Sequence, residues 1–346
     1  MSRRLPISPF VLMSNTKASK FIIGVDLGGT NIVVGALSAD GGTEYAMRSE
    51  PTRASQGADS VVDRMVSMID TVIAEAIAAG QKRENCLGVG VGAPGPLDRE
   101  RGIVITTPNL GWTDFPLRQV IADRVGLVAT LDNDANCATL GEWWLGAARG
   151  GRNVVGMTIG TGIGGGLILD GRLYHGASDV AGEIGHMTID VTGRRCGCGN
   201  YGCLEAYASG PSIAGRAREA LEGDKTSILH EMLGGDLSRL TAATVYDAAK
   251  RGDDIALEVV RETARFLGAG LANLLNVFNP DIVVIAGGVT QAGAPLFDPL
   301  RREVRRRAFR PAVEACRIVP GSLQGTAGVV GAVATFKQQT LGRVEA

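Results

Sequence analysis

His186, Cys196, Cys198 and Cys203 stand in the spacing H-x9-C-x-C-x4-C. Three thiolates and one imidazole complete a tetrahedral zinc shell with no open position, the donor set of a structural rather than a catalytic metal. Gly193, Gly197, Gly199 and Gly202 supply the tight turns that so short a loop needs. The bland alternative, free thiols beside an unrelated histidine, does not account for three cysteines within eight residues. Cys86, Cys137 and Cys316 are isolated in apolar or helical stretches and read as buried thiols, so the six cysteines do not form a disulfide framework.

Carboxylates flank this loop. Glu183 lies three residues before His186, and Glu205 two residues after Cys203. A third group, Asp132-Asn133-Asp134, follows a short strand and opens a helix. Taken alone it reads as an N-cap, and the functional reading is a general base. Carboxylates around a concavity suit the paired hydroxyls of a sugar, each oxygen accepting one or two hydrogen bonds.

Two glycine turns are candidate phosphate sites. Gly90–Gly95 and Gly160–Gly165 match a bare G-x-G-x-x-G, but no helix opens directly on either, as dinucleotide binding requires. The Walker pattern is absent. Successive amides of a glycine turn nevertheless form an anion-binding concavity without a helix. In Asp26-Leu27-Gly28-Gly29-Thr30-Asn31 the Asp26 carboxylate can hold Mg²⁺ through water, while Thr30 and the amides face phosphate oxygens. An empty hairpin turn is the plain reading for one such site. Its repetition at Gly160-Thr161-Gly162 argues for a ligand.

The elements that position these groups follow from periodicity. Phe21–Leu27 and Asn31–Leu37 read as strands around the first turn, with a third strand after Gly41–Gly42. From Ala58 to Ala79, Val61, Val62, Met65, Met68, Ile69, Val72, Ile73 and Ala76 recur at helical spacing. Strands are expected at Leu87–Val91 and Leu127–Leu131, and a helix at Asp134–Ala147. The pattern then restarts with Asn153–Ile159, a turn over Gly160–Gly166 and a strand at Leu167–Asp170. Helices follow at Glu205–Glu222, Thr241–Arg251 and Ile255–Asn276, then a strand at Ile282–Ala286 ending in Gly287–Gly288, and a last helix over about Thr326–Lys337. The repeat predicts two similar α/β halves flanking a cleft, with a hinge near Asp134–Leu145. The expected domains are residues 21–135 with 326–346, smaller, and 136–325, larger and carrying the zinc loop. Residues 1–20 are expected to be a flexible tail, with Met13 a candidate start.

A 346-residue chain with 45% apolar and 21% charged residues affords two globular domains. A net charge of −1 gives no pull toward nucleic acid or anionic membrane. Six arginines in Arg301–Arg310 read as a solvated helix face. Trp143–Trp144 read as core packing rather than a sugar-stacking pair. Without a membrane-length apolar run or a leader of secretory type, a cytoplasmic location is expected.

The segments Gly24–Asn31, Gly92-Ala93-Pro94-Gly95-Pro96, Leu131–Asn136, Gly160–Gly166, Gly182-Glu183-Ile184-Gly185-His186 and Cys196–Glu205 resemble, in order, those of the ROK family of repressors, open reading frames and sugar kinases. The last two are highly specific; the glycine turns alone are not. The resemblance implies an α/β, actin-like ATPase (ribonuclease H-like) duplicated fold that closes over ATP and a hexose. It assigns Asp134 as the base that takes the proton of the sugar C6 hydroxyl. Gly95, Asn109, Asn133, Glu183, His186 and Glu205 are assigned to the sugar, His186 using one ring nitrogen for zinc and the other for a hydroxyl. Asp26, Gly28, Gly29, Thr30, Asn31, Gly160, Thr161, Gly162 and Gly164 are assigned to the nucleotide phosphates, and Gly287–Gly288 to the adenosine side.

The implied activity is ATP-dependent, Mg²⁺-assisted phosphorylation of a hexose, glucose first, in a homodimer or dimer of dimers carrying structural zinc. N-acetylmannosamine, N-acetylglucosamine and fructose are alternative substrates, and polyphosphate an alternative donor. A sugar-responsive transcriptional regulator is the reading from another class. About 25 residues precede the Asp26 turn, too few for a helix-turn-helix module. A catalytically dead sensor has no support while Asp134 is present.

Overall fold

The computed structural model describes residues 20–107, 109–222, 226–342 and 344. Of the expected N-terminal tail all but Lys20 lies outside the described residues. The chain forms two compact units. One runs to Gly150 and takes in Leu173–Ala181 and the stretch from Gly325; the other comprises Gly151–Arg172 and Gly182–Gln324.

In the first unit β1 (Phe21–Leu27), β2 (Asn31–Ser38) and β3 (Glu44–Pro51) form an antiparallel meander, and α1 (Ala58–Ala78) leads into β4 (Cys86–Ala93). Then come β5 (Leu97–Asp98), β6 (Ile103–Thr107) and β7 (Trp112–Phe115), a small separate sheet, followed by α2 (Leu117–Val125), β8 (Ala129–Asn133) and α3 (Asp134–Trp144). The main sheet has the order β3-β2-β1-β4-β8, with β1, β4 and β8 parallel. β1 is buried almost throughout, as a central strand covered on both faces must be. α1 buries the eight apolar residues picked out by their spacing.

The second unit opens with β9 (Val154–Ile159), β10 (Ile163–Leu169) and β11 (Arg172–Leu173). After the cysteine loop follow α4 (Glu205–Ala208), α5 (Gly210–Leu221), α6 (Ile228–Met232), α7 (Ala242–Lys250), α8 (Asp254–Phe278), β12 (Ile282–Ala286), α9 (Ala294–Arg307), α10 (Arg310–Ala315) and β13 (Arg317–Pro320). The sheet order β11-β10-β9-β12-β13 repeats that of the first unit: β9 is antiparallel to β10, while β9, β12 and β13 run parallel. The duplication expected from the two glycine turns is therefore present in the strand directions.

Three expectations are corrected. The first unit ends at Gly150, not at 135, because α3 packs along the C-terminal helix α11 (Ala327–Thr340) of the same unit. At their crossing a Cβ on Gly331 would overlap the Cys137 carbonyl, so only glycine allows the approach. Gly164–Gly166 belong to β10 rather than to the turn. The missing side chain of Gly165 admits Ile184, which a Cβ there would strike. The helix expected over Glu205–Glu222 is two helices, because Ser209 caps α5 and Pro211 occupies its first turn. Trp143 and Trp144 are buried. Among the described residues no helix is long and apolar enough to cross a membrane.

Candidate active site

The register of the first sheet brings its functional groups to one edge. Asp26 near the end of β1 lies beside Gly92 of β4, and Gly92 beside Asp132 of β8. The carboxyl ends of these three parallel strands thus carry Asp26, the Gly92–Gly95 turn and the Asn133–Asp134 step, the edge at which open α/β sheets bind ligands. Asn133 caps α3, its side-chain oxygen accepting from Ala135 N at 2.9 Å and Asn136 N at 3.1 Å. Asp134 is the first helical residue, with the positive end of the helix dipole at its carboxylate. Burial, and after it the Asp134 charge, pushes the Asp26 carboxyl up to about 7. Asp26 and Asp134, whose charges interact, offer hard oxygen donors of the type that suits Mg²⁺. The residue as a whole keeps some exposed surface, but the start of α11 closes over the carboxyl, and a Cβ on Gly328 would overlap Asp26 Oδ2.

The first glycine turn is held from behind. Thr52 at the end of β3, fully buried, donates its hydroxyl to Gly28 O at 2.6 Å and its amide to Thr30 O at 2.8 Å. Arg64 in turn donates to Thr52 O at 2.6 Å. With these carbonyls tied inward, Thr30 and Asn31 stand exposed at the tip. Asn109 is exposed next to the same turn, where a Cβ on Gly29 would lie 3.5 Å from Asn109 Cβ. Gly95 turns with φ +94°, a left-handed conformation that favours glycine.

In the second unit the corresponding edge is formed by β9 and β12, whose ends are in register at Thr158 and Ala286. Gly160-Thr161-Gly162 follows β9, and Gly287–Gly288, both exposed, follow β12. The Gly160 carbonyl is fixed by Gly210 N at 2.8 Å. Gly164 lies one residue inside β10.

The cysteine loop sits beside this turn. One ligand atom from each of His186, Cys196, Cys198 and Cys203 lies within 4.8 Å of all the others. Cys198 Sγ is 3.8 Å from Cys203 Sγ, and Cys196 Sγ is 3.7 Å from His186 Nδ1. Bonds of about 2.3 Å from zinc to sulfur give tetrahedral edges of about 3.8 Å, so the donor set and its spacing both fit zinc. Short β-bridges, Thr188 with Cys203 and Arg195 with Tyr201, brace the loop. The Tyr207 hydroxyl accepts from Arg194 N at 2.7 Å and donates to Asp190 Oδ2 at 3.0 Å.

Glu183, His186 and Glu205 are brought together here. Partial burial raises the Glu183 carboxyl above its ordinary range, with His186 opposing the shift and the Glu205 charge adding to it. Glu205 is already engaged: Oε2 accepts from Ile163 N at 2.8 Å, and Oε1 receives the Cys196 thiol at 3.7 Å. Standing two residues after Cys203, Glu205 ties the end of the cysteine loop to the second glycine turn through its bond with Ile163 N. The Thr52 and Tyr207 contacts and this link are not disclosed by motif spacing, because each joins residues from separate segments of the chain.

The sequence model of the ROK family matches residues 22–339. The chain belongs to the ROK family. ROK relatives of known name include a glucokinase of Thermotoga maritima, 38% identical over 319 residues, covering 92% of this chain and 98% of the relative. A solved ROK glucokinase of Streptomyces griseus, in complex with glucose and AMPPNP, superposes with a TM-score of 0.78 at 35% identity, covering 90% of this chain and 98% of that one. A putative xylose repressor of Caldicellulosiruptor sp. is 33% identical, covering 94% of this chain and 80% of the repressor. The ROK structures fix the fold as the actin-like, duplicated α/β ATPase fold, as the motifs implied.

Proposed function

We propose that this protein is a glucokinase-type hexose kinase that transfers the terminal phosphoryl group of ATP to the C6 hydroxyl of glucose. The observation that carries the reading is the placement of Asp134 at the amino end of α3, at the same sheet edge as Asp26 and the braced first glycine turn. Similarity to glucokinases over nearly their whole length supports the substrate.

In this reading Asp134 accepts the C6 hydroxyl proton as that oxygen attacks phosphorus and the bond to the ADP oxygen breaks. Asn133, Asn109, Gly95, Glu183, His186 and Glu205 bind sugar hydroxyls. Amides of Gly28–Asn31 and Gly160–Gly162 with Gly164 bind the phosphates, and Gly287–Gly288 the adenosine side. Positioning and charge neutralisation supply most of the rate in phosphoryl transfer. Asp26 would hold Mg²⁺, which would supply charge neutralisation at the phosphate oxygens. His186, Cys196, Cys198 and Cys203 would hold a zinc ion whose part would be to fix the loop rather than to take part in the reaction, and the second His186 nitrogen would serve a hydroxyl. A cytoplasmic homodimer or dimer of dimers completes the proposal.

The test is ADP release with MgATP over glucose, mannose, fructose, N-acetylglucosamine and N-acetylmannosamine, with polyphosphate as a second donor. Highest kcat/KM for glucose with MgATP is expected. Absence of turnover with every sugar overturns the kinase reading, and salt-dependent binding of duplex DNA by the same preparation would favour a regulator.

A further inference from the structure

A charged cluster in the first unit lies directly under the proposed base. Asp132, 1% exposed, precedes Asn133 and Asp134 in the chain and has both oxygens engaged. Oδ1 accepts from Asn133 N at 2.8 Å and Asn136 Nδ2 at 3.2 Å. Oδ2 meets His175 Nε2 at 2.9 Å and lies 3.1 Å from Arg99 Nε. Arg99 also pairs with Asp179 at 3.3 Å, and its amide donates to the same carboxylate at 3.2 Å. His175 and Asp179 belong to Leu173–Ala181, the segment that the chain sends back into the first unit between two stretches of the second. Ala181 N closes that segment onto His175 O at 3.1 Å.

The contacts on Oδ2 are not equivalent. Arg99 Nε is buried and makes no aligned hydrogen bond, so its contribution is charge. His175 Nε2 is the directional donor, and facing a carboxylate it carries the ring proton. A buried carboxylate that loses a donor must recover it by moving. Movement of the Asp132 carboxyl disturbs residues 132–136, because Oδ1 accepts from both the Asn133 amide and the Asn136 side chain. The same backbone sets the cap of α3 and the direction of Asp134.

We propose that His175 is a positioning residue for phosphoryl transfer: through Asp132 it holds the Asn133–Asp134 step in register with the attacking hydroxyl. The inference rests on Asp134 being the base. A base displaced by about 1 Å loses on the order of a hundredfold in rate, while binding at a distance from it is spared.

Two polar substitutions separate this role from general packing. In His175→Gln the side-chain amide nitrogen takes the place of Nε2 and reaches Asp132; in His175→Asn it stops at the position of Nδ1. Expected for Gln is kcat within about threefold of the parent. Expected for Asn is kcat lower by about 10–100-fold, with KM for MgATP within about twofold. Hydrogen exchange at the Ala135 and Asn136 amides should speed up at least about tenfold in Asn and not in Gln. The proposal is overturned if the two variants match each other in kcat and exchange, whether both resemble the parent or both are impaired. If the parent phosphorylates no hexose, the kinase reading falls, and the exchange comparison still decides whether His175 positions the loop.

Discussion

Asp26→Asn separates the electrostatics of the site from its packing. In the unfolded chain an aspartate carboxyl titrates near pH 3.9, whereas the folded environment pushes Asp26 up to about 7. Between these values the native protein holds a proton that the unfolded chain has released, so stability attributable to this group is present at low pH and lost as pH rises toward 7. From pH 5 to 8 the shift spans about two units, a ceiling of about 3 kcal/mol at about 1.4 kcal/mol per unit. Because the residue keeps some exposed surface, screening reduces this to about 1–2 kcal/mol. Asparagine keeps the shape of the protonated side chain and cannot ionise. Asp26→Asn should therefore already be the more stable protein at pH 5, and its advantage should grow by about 1–2 kcal/mol between pH 5 and pH 8. Urea unfolding followed by tryptophan fluorescence measures this in the right place, since Trp112, Trp143 and Trp144 all belong to the first unit. The solutions must be free of Mg²⁺ and nucleotide, because a cation beside the carboxylate favours its ionised form. A difference between the two proteins that does not change from pH 5 to pH 8, or an asparagine variant less stable at pH 8, refutes the reasoning.

Asp134→Asn should lower kcat by about two to four orders of magnitude while glucose affinity, by calorimetry, changes less than about threefold; near-parental turnover removes Asp134 from the role of base. Cys198→Ser should reduce bound zinc from one per chain, measured by elemental analysis, and weaken glucose binding by about tenfold or more. Since Cys198 is exposed, that loss cannot be blamed on a core cavity, and unchanged sugar affinity in zinc-free protein breaks the coupling. Gly328→Ala places a methyl group against the Asp26 carboxyl and should cost about 1–3 kcal/mol in urea unfolding despite alanine's better helix propensity; a neutral or stabilising result would mean that α11 can shift away.

The parts of the fold readable from sequence are those encoded locally. The burial stripe of α1 and the strand–glycine turn–strand pattern at Asp26 and Gly160 each occupy a few consecutive turns or strands. The unit boundary was not readable in this way, because the partner that keeps α3 in the first unit is α11, some 190 residues further on. The continuation of β10 through Gly164–Gly166 was hidden for a similar reason: glycines there signal a turn until Ile184 is seen to fill the space beside them. The site shows the same division. Asp134, Glu183 and the candidate zinc ligands lie in recognisable motifs, whereas the contacts of Thr52 and His175 arise from register and from a returning segment that no spacing rule describes.

Glu205 shows how the structure changes the account of zinc. From spacing it is a sugar ligand carried by the metal loop; in the fold its Oε2 is bonded to Ile163 N, at the second glycine turn. Zinc loss should then act on both sides of this carboxylate, though not equally. The sugar side loses His186 and the orientation of Glu183 together. The nucleotide side loses one charge-assisted hydrogen bond, worth about 1.5–3 kcal/mol at most, and keeps the separate Gly210 N to Gly160 O bond at 2.8 Å. The turn is also held by the β9–β10 pairing, which involves no residue of the loop. A larger effect on glucose than on nucleotide follows, with a small nucleotide effect that depends on Glu205 itself. In Cys198→Ser, adding Glu205→Gln should leave the residual nucleotide effect nearly unchanged, because metal loss has already released that carboxylate.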